Sequence, residues 1–340
     1  MSFKVYQHPV FLLHRSESPH PESPERLRAI VSRLNSANFP RVSFVQTDRV
    51  ATPEELSIIH TERHIEAVAA TAGKGFGWLD ADTYTCGDSY EAARTAVGTV
   101  LDAVGSLSRK ECTRALALVR PPGHHADRDR AMGFCLFNNT ALATQHAVSK
   151  GLFRKAAIFD IDAHHGNGTQ HIFFDRGDIL YMSQHQSPFY PDTGDWNEIG
   201  VGDGIGANIN CPLPAGSGDA EVLSVWKGVF GPILEQFAPD LLLLSLGFDG
   251  HTLDPLAQLQ ITTEGFRKLL SAVEAFASRA SIPVLYILEG GYSPQALTEA
   301  APLVVEVHEQ PDASEWPDPS PLALKLLDEA RKTFGTLWKL

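Results

Sequence analysis

Short apolar runs recur along the chain, and amphipathic stretches separate them. The runs are ALALVR (115–120), KAAIFDID (155–162), DILYMSQH (178–185), DLLLLSLGFD (240–249) and PVLYILEGG (283–291). Most are continuous rather than alternating, the pattern of strands buried on both faces of a parallel sheet. Helix-period segments lie between them at 23–34, 54–70, 89–104, 139–151, 220–237 and 263–280. Ser23 ahead of Pro24 and Thr263 ahead of Glu264 predict helix starts, and Gly151 predicts a helix stop. The alternation predicts an α/β fold built on a doubly wound parallel sheet with right-handed crossovers. Residues 311–320, PDASEWPDPS, read as a surface linker to a last helix over 321–335. The expectation is a single domain over 1–310 with long loops at the carboxyl edge of the sheet. The remaining 311–340 would form a linker and a helix packing back on that domain.

Composition narrows the function. The 340 residues are 43% hydrophobic and 20% charged, ample for a core, which excludes disordered and collagen-like readings. Lys and Arg number 28 against 41 Asp and Glu, a formal net charge of -13. That sign repels a phosphate backbone and argues against nucleic acid as a partner, but not against a cationic molecule or a Lys-rich tail. Cys86, Cys112, Cys135 and Cys211 form no CxxC pair and read as reduced thiols. The N-terminal MSFKVYQHPVFLLH lacks the apolar run of a signal peptide, and no segment reaches the roughly 18 apolar residues of a membrane helix. The expectation is a soluble cytoplasmic protein without a membrane partner.

The unusual polar residues follow the strands. ALALVR leads into PPGHHA with His124 and His125, and AAIF into DIDAHHGNG with Asp160, Asp162, His164 and Asn167. LLLLSLG leads into FDGHTLDP with Asp249, and LYIL into EGGY with Glu289 and Tyr292. Ligands of open parallel sheets bind beyond the carboxyl ends of strands, so four strand ends deliver ionisable groups to one edge. If DIDAH stays extended, Asp160, Asp162 and His164 project to one side. Two carboxylates and an imidazole suit a divalent metal, and Asp249 is placed to join them from another strand. A solvated acidic loop is the plainer reading, but these acids directly continue a buried apolar run. An Asp2His set leaves an open position, as in a catalytic metal site. Of the adjacent histidines, one would remove a proton from water and the other would stabilise charge. Tyr292 would donate a hydrogen bond to a developing oxyanion.

Taken together and in order, RPPGHHA, MGFCLFNN, DIDAHHGNGTQ, SLGFD and EGGY resemble the histone deacetylase and acetylpolyamine amidohydrolase family, from about His20 to about Tyr292. The resemblance implies an arginase-like α/β fold and a zinc-dependent amidohydrolase. It implies metal ligands at Asp162, His164 and Asp249, tandem histidines at His124 and His125, and an oxyanion tyrosine at Tyr292. His125 would be the general base and later the acid. Asp160 would orient His124 and, with Asp162, His164 and Ser183, help to hold a structural K+ or Na+. Asn167 stands where many members carry Asp, the class II-like pattern, and should stabilise the charged form of His125 less than Asp would. Phe134 and Tyr190 match the aromatic walls of an acyl-lysine tunnel, with Gly133 letting the tunnel approach the substrate stem and Leu256 at the entrance.

Several substrates and chemistries compete. Removal of acetyl or another short acyl group from lysine side chains is favoured over acetylpolyamine hydrolysis by Leu256, which replaces an acidic gatekeeper of polyamine-selective relatives. The short LDADTYTCGD segment (79–88), where bacterial polyamine enzymes carry a long insertion, points the same way. The net negative charge leans toward the polyamine. An arginase-like dimetal site would need an acid at Gly166, and a binding module without catalysis would not need His125 and Tyr292. Zinc is the implied metal, although an Asp2His site also accepts Fe2+ or Co2+. A homo-oligomer is compatible with this reading.

Overall fold

The computed structural model describes residues 2–37, 39–312 and 314–340. One sheet of eight strands forms its centre, in the order β2-β1-β5-β10-β9-β6-β7-β8. These strands are β1 (Phe3–Tyr6), β2 (Val42–Val45), β5 (Arg114–Ala117), β6 (Ala156–Asp160), β7 (Ile179–Gln186), β8 (Asn208–Leu213), β9 (Leu241–Leu246) and β10 (Val284–Leu288). Every pairing is parallel. A separate antiparallel pair, β3 (Gly77–Trp78) and β4 (Tyr84–Thr85), forms a small hairpin.

The order of the strands assembles the functional edge. The chain leaves β5, skips two places and enters β6; β9 and β10 fill the gap later. The carboxyl ends of β5, β10, β9 and β6 are thereby neighbours, a topological switch point where α/β sheets bind ligands. All residues of β5, β6, β7, β9 and β10 are buried, because helices cover both faces. Helices α4 (Ser89–Ser108) and α5 (Asn139–Ser149) pack on each other, with α5 also against β6 and β9. Elsewhere α9 (Thr263–Ala280) meets α7 (Asp219–Val225), α10 (Pro294–Ala300) and α11 (Leu303–Glu309), and α10 meets α1 (Pro24–Ser36).

Three strands of the sheet escape the sequence pattern. β1 and β2 are four residues each, and β2 is an edge strand with Phe44 exposed. β8 reads Asn-Ile-Asn-Cys-Pro-Leu, and its buried Asn208 and Asn210 hide its strand character. The side-chain amides of both asparagines donate to Gln170 Oε1, at 2.9 and 2.7 Å.

The expected helix over 54–70 is two helices, α2 (Pro53–Leu56) and α3 (Glu62–Ala69). The break falls where His60 turns inward to contact Asp127 O and accept the Asn138 N–H, and Thr61 caps a new start. The 220–237 helix runs through α7, a π-helical turn at Trp226–Phe230 and α8 (Gly231–Phe237). Pro232 has no N–H to continue an α-helical ladder, which accounts for the local change of register. The cap of α9 is Thr262 rather than Thr263: the Thr262 hydroxyl accepts the Gly265 N–H at 3.1 Å. The last helix, α12 (Pro321–Phe334), lies against α7 and β8, burying Ala323, Leu326, Leu327, Ala330 and Phe334. Among the described residues no helix is long and apolar enough to cross a membrane, and all four cysteines are free and buried.

Candidate active site

Asp162, His164 and Asp249 converge, with one possible ligand atom from each lying within 4.8 Å of the others. Asp162 and His164 follow β6, and Asp249 follows β9. Backbone donors fix the carboxylates: Gly290 N–H donates to Asp162 Oδ2 and Ala163 N–H to Asp249 Oδ1, both at 2.8 Å. His164 Nδ1 lies 2.9 Å from Asp249 Oδ2 and 3.1 Å from Asp162 Oδ1. The glycines are required by this packing: a Cβ on Gly290 would stand 2.5 Å from both carboxylates. Burial, reinforced by the charge of Asp162, pushes Asp249 up to about 7. Two buried carboxylates facing one imidazole are the donor set of a divalent metal site, and a cation there relieves that repulsion.

Asp160 does not join this trio. It ends β6 one residue pair earlier, where its Oδ2 receives His124 Nδ1 at 3.1 Å and the Tyr181 hydroxyl at 3.3 Å. Burial opposes charge on His124, but Asp162 and Asp160 outweigh it and hold its pKa up at about 10. Gly166 presses on Asp160 and Tyr181, so a side chain at this position would collide with the Asp160 carboxylate. An acid supplying a second metal has no room there.

His125 is in a different electrostatic state. Its Nδ1 lies 2.8 Å from Asn167 Oδ1. An amide oxygen only accepts, so Nδ1 carries the hydrogen and Nε2 keeps its lone pair. Burial, together with positive charge on His124 and His164, holds its pKa well below the usual imidazole value.

A cavity of about 280 Å³ reaches the trio at His164 and is lined also by Asp82, His125, Gly133, Phe134, Phe189, Tyr190, Leu256 and Tyr292. His124 is not part of its wall. Gly133 adopts a left-handed φ of 56°, and a Cβ there would run into the His125 ring. Phe134 also has positive φ, 69°, and packs edge-on to Tyr292 with ring centroids 5.7 Å apart. Tyr190 stands edge-on to His125 at 5.2 Å, and Phe189 stacks on His164 at 4.8 Å. A larger hollow of about 950 Å³, beside Trp226 and Trp316, contains none of these groups.

Tyr292 is held from both sides. Its N–H donates to Asp254 Oδ2 at 2.7 Å, and the Arg26 guanidinium lies 5.0 Å from its ring centroid. Arg26 is 2% exposed and donates to the carbonyls of Gly291, at 2.6 Å, and Glu289. Glu22 joins Arg26 to the fully buried Arg120, which donates to Glu22 Oε2 at 2.6 Å. Ser183 pairs with Asp160 across β6 and β7. His185 Nε2 donates to Gly194 O at 3.1 Å, so its Nδ1 accepts from the Ser183 hydroxyl at 2.9 Å.

Sequence reasoning missed Asp82, Phe189, Arg26, Glu22 and Arg120. Phe189 adjoins Tyr190 in PFYP, and Glu22 and Arg26 lie within HPESPERL, so local signals existed. None existed for Asp82, one of several acids in a loop.

Comparison with known proteins bears on the same residues. A model of the histone deacetylase domain matches residues 20–308. The chain belongs to the histone deacetylase family. It is 39% identical over 299 residues to a probable deacetylase of Methanothermobacter thermautotrophicus, covering 86% of each protein. It is 38% identical to histone deacetylase 15 of Arabidopsis thaliana over 85% of this chain and 52% of that protein. The crystal structure of the HDA15 HD domain superposes with a TM-score of 0.92 at 34% identity, over 99% of this chain and 95% of that one. The fold is therefore the arginase/deacetylase fold, and family and fold support a deacetylase-type hydrolase. The Asp162–His164–Asp249 cluster supports metal dependence.

Proposed function

We propose that this histone deacetylase family member is a zinc-dependent deacylase that removes acetyl or other short acyl groups from lysine side chains. The observation that carries the reading is one aromatic-walled cavity whose lining brings His164, a member of the Asp162–His164–Asp249 cluster, together with His125 and Tyr292. A divalent metal held by these three ligands supplies Lewis acidity and makes water more acidic. Fe2+ or Co2+ would suit the same donors.

The residues of the chain do the rest. His125 Nε2 takes the proton of the attacking water and returns it to the nitrogen of the leaving amine. Asn167 fixes the tautomer that makes this possible. The Tyr292 hydroxyl donates to the carbonyl oxygen as negative charge develops on it. His124, charged and anchored on Asp160, stabilises the negative charge beside it. Gly133, Phe134 and Tyr190 wall the acyl-lysine stem away from water, and Leu256 lies at the rim. Asp160, Asp162, His164 and Ser183 would hold a structural K+ or Na+.

Asp82 on the cavity wall favours a second reading, an acetylpolyamine deacetylase, because a carboxylate there attracts a distal ammonium. One zinc-defined preparation assayed on acetyl-lysine peptides, longer acyl-lysines and acetylpolyamines decides between them. Faster turnover of acetylspermidine or acetylputrescine than of peptides would reverse the preference. Absence of turnover on every acyl amide would leave a non-catalytic binding module.

A further inference from the structure

Glu289 is a buried acid to which the chemistry above gives no task. It follows β10, is 0% exposed, and belongs neither to the metal cluster nor to the cavity wall. Its Oε2 accepts the backbone N–H of Gly123 at 2.6 Å and of His124 at 3.1 Å. Its Oε1 accepts the Thr140 hydroxyl at 3.1 Å, with the Ser245 hydroxyl 3.4 Å away. One side chain thus joins the loop after β5 to β9, β10 and the first turn of α5. Gly123 is wedged from the other side: a Cβ there would stand 2.5 Å from Asn139 N and 2.9 Å from Phe137 O. The Gly123–His124 backbone is therefore gripped between α5 and Glu289. Burying a carboxylate is costly, and burial pushes this one up to about 7. Removing it would strand two buried N–H groups immediately before the paired imidazoles.

We infer that Glu289 is a positioning residue whose carboxylate clamps the Gly123–His124 backbone and so sets where His124 and His125 stand relative to Asp162 and the cavity. Its effect on rate rests on the deacylase reading; its grip on the backbone does not. Gln at 289 keeps an acceptor for both N–H groups and a donor for Thr140, whereas Met keeps only the volume.

The test compares wild type, Glu289→Gln and Glu289→Met as zinc-loaded full-length proteins. It reads kcat and KM on an acetyl-lysine amide, zinc content, and amide hydrogen exchange at Gly123 and His124. Gln should stay within about threefold of wild type. Met should lose about 10- to 100-fold in kcat, the worth of a hydrogen bond to a charged acceptor, with KM and zinc content unchanged. Exchange at the two amides should be at least about tenfold faster in Met and protected in Gln. Wild-type kcat and protection in Met would overturn the assignment. So would a Gln variant as slow as Met, because charge rather than grip would then be the requirement. If Met does not fold, Thr140→Val with Ser245→Ala loosens the same carboxylate. That double variant should lower kcat about threefold to tenfold at constant KM, and an unchanged kcat would overturn the assignment. A wild type inactive on every acyl amide would remove the deacylase reading, while the exchange comparison would still decide the clamp.

Discussion

Asn167→Asp is the most informative single change at this site, because it alters one charge and almost no volume. Asn167 opens α6 (Asn167–Phe173), is 9% exposed, and meets His125 Nδ1 through Oδ1 at 2.8 Å. In the wild type this is a neutral acceptor. A carboxylate in the same place strengthens the bond to the imidazolium form by about 1 to 1.5 kcal/mol. One pKa unit corresponds to about 1.4 kcal/mol, so the His125 pKa should rise by about one unit. His125 must be unprotonated to act as a base. A raised pKa therefore moves the acidic limb of kcat/KM upward by about one pH unit, and activity on the acid side falls about tenfold. On the plateau above that limb the two proteins should differ by less than about threefold. Asn167→Leu removes the acceptor altogether, strands the Nδ1 hydrogen and should lower kcat about 10- to 100-fold at every pH. The assay is acetyl-lysine peptide hydrolysis from about pH 5 to 9 at fixed ionic strength, with metal content measured at both extremes. A limb that stays in place or moves to lower pH in Asn167→Asp would refute both the base assignment and the tautomer argument.

Other outcomes follow from the same geometry. Tyr292→Phe should lower kcat about 10²- to 10³-fold while zinc stoichiometry stays at the wild-type value, as measured by steady-state kinetics and elemental analysis. Arg26→Met should cost about 1 to 3 kcal/mol in denaturant unfolding, since it strands the buried carbonyls of Gly291 and Glu289 while Glu22 keeps Arg120, and should also lower kcat by unseating Tyr292. Burial opposes charge on His164, but Asp162 and Asp249 outweigh it and hold its pKa at about 10 in the metal-free protein. Zinc binding near neutral pH should therefore release at least about one proton, from His164 with a further fraction from Asp249, seen by calorimetry in buffers of different protonation enthalpy; no buffer dependence would contradict this. Leu256→Glu should shift the ratio of acetylspermidine to acetyl-lysine turnover toward the polyamine.

The legible part of the fold was the part that is buried on both sides. β6, β7, β9 and β10 announce themselves as unbroken apolar runs because helices cover both faces of the sheet. β8 did not, because Asn208 and Asn210 are buried against Gln170 and polar letters at buried positions look like loop. The 54–70 segment kept a helical apolar rhythm across a break caused by a long-range contact, His60 to Asp127 O, which local periodicity does not contain. The strand order is likewise invisible locally. Nothing in ALALVR or KAAIFDID says that two later strands will separate them.

The same division runs through the site. Groups proposed to carry out chemistry at a strand end leave short motifs, and the convergence of Asp162, His164 and Asp249 was legible because each closely follows an apolar run. Groups that hold those residues in place come from anywhere in the chain. Arg26 reaches Gly291 and Glu289 across more than 260 residues, and Arg120 reaches Glu22 across 98. Their partners are often backbone carbonyls, which have no sequence signature. A lone Arg in an amphipathic helix reads as solvated, yet Arg26 is buried under the tyrosine assigned to the oxyanion. The cost of burying these charges is offset only when the loops after β5 and β10 and the N-terminal segment are all in place. Assembly of the N-terminal segment and formation of the catalytic edge are therefore coupled. Truncation ahead of Glu22 that removes β1 should consequently reduce kcat, not stability alone.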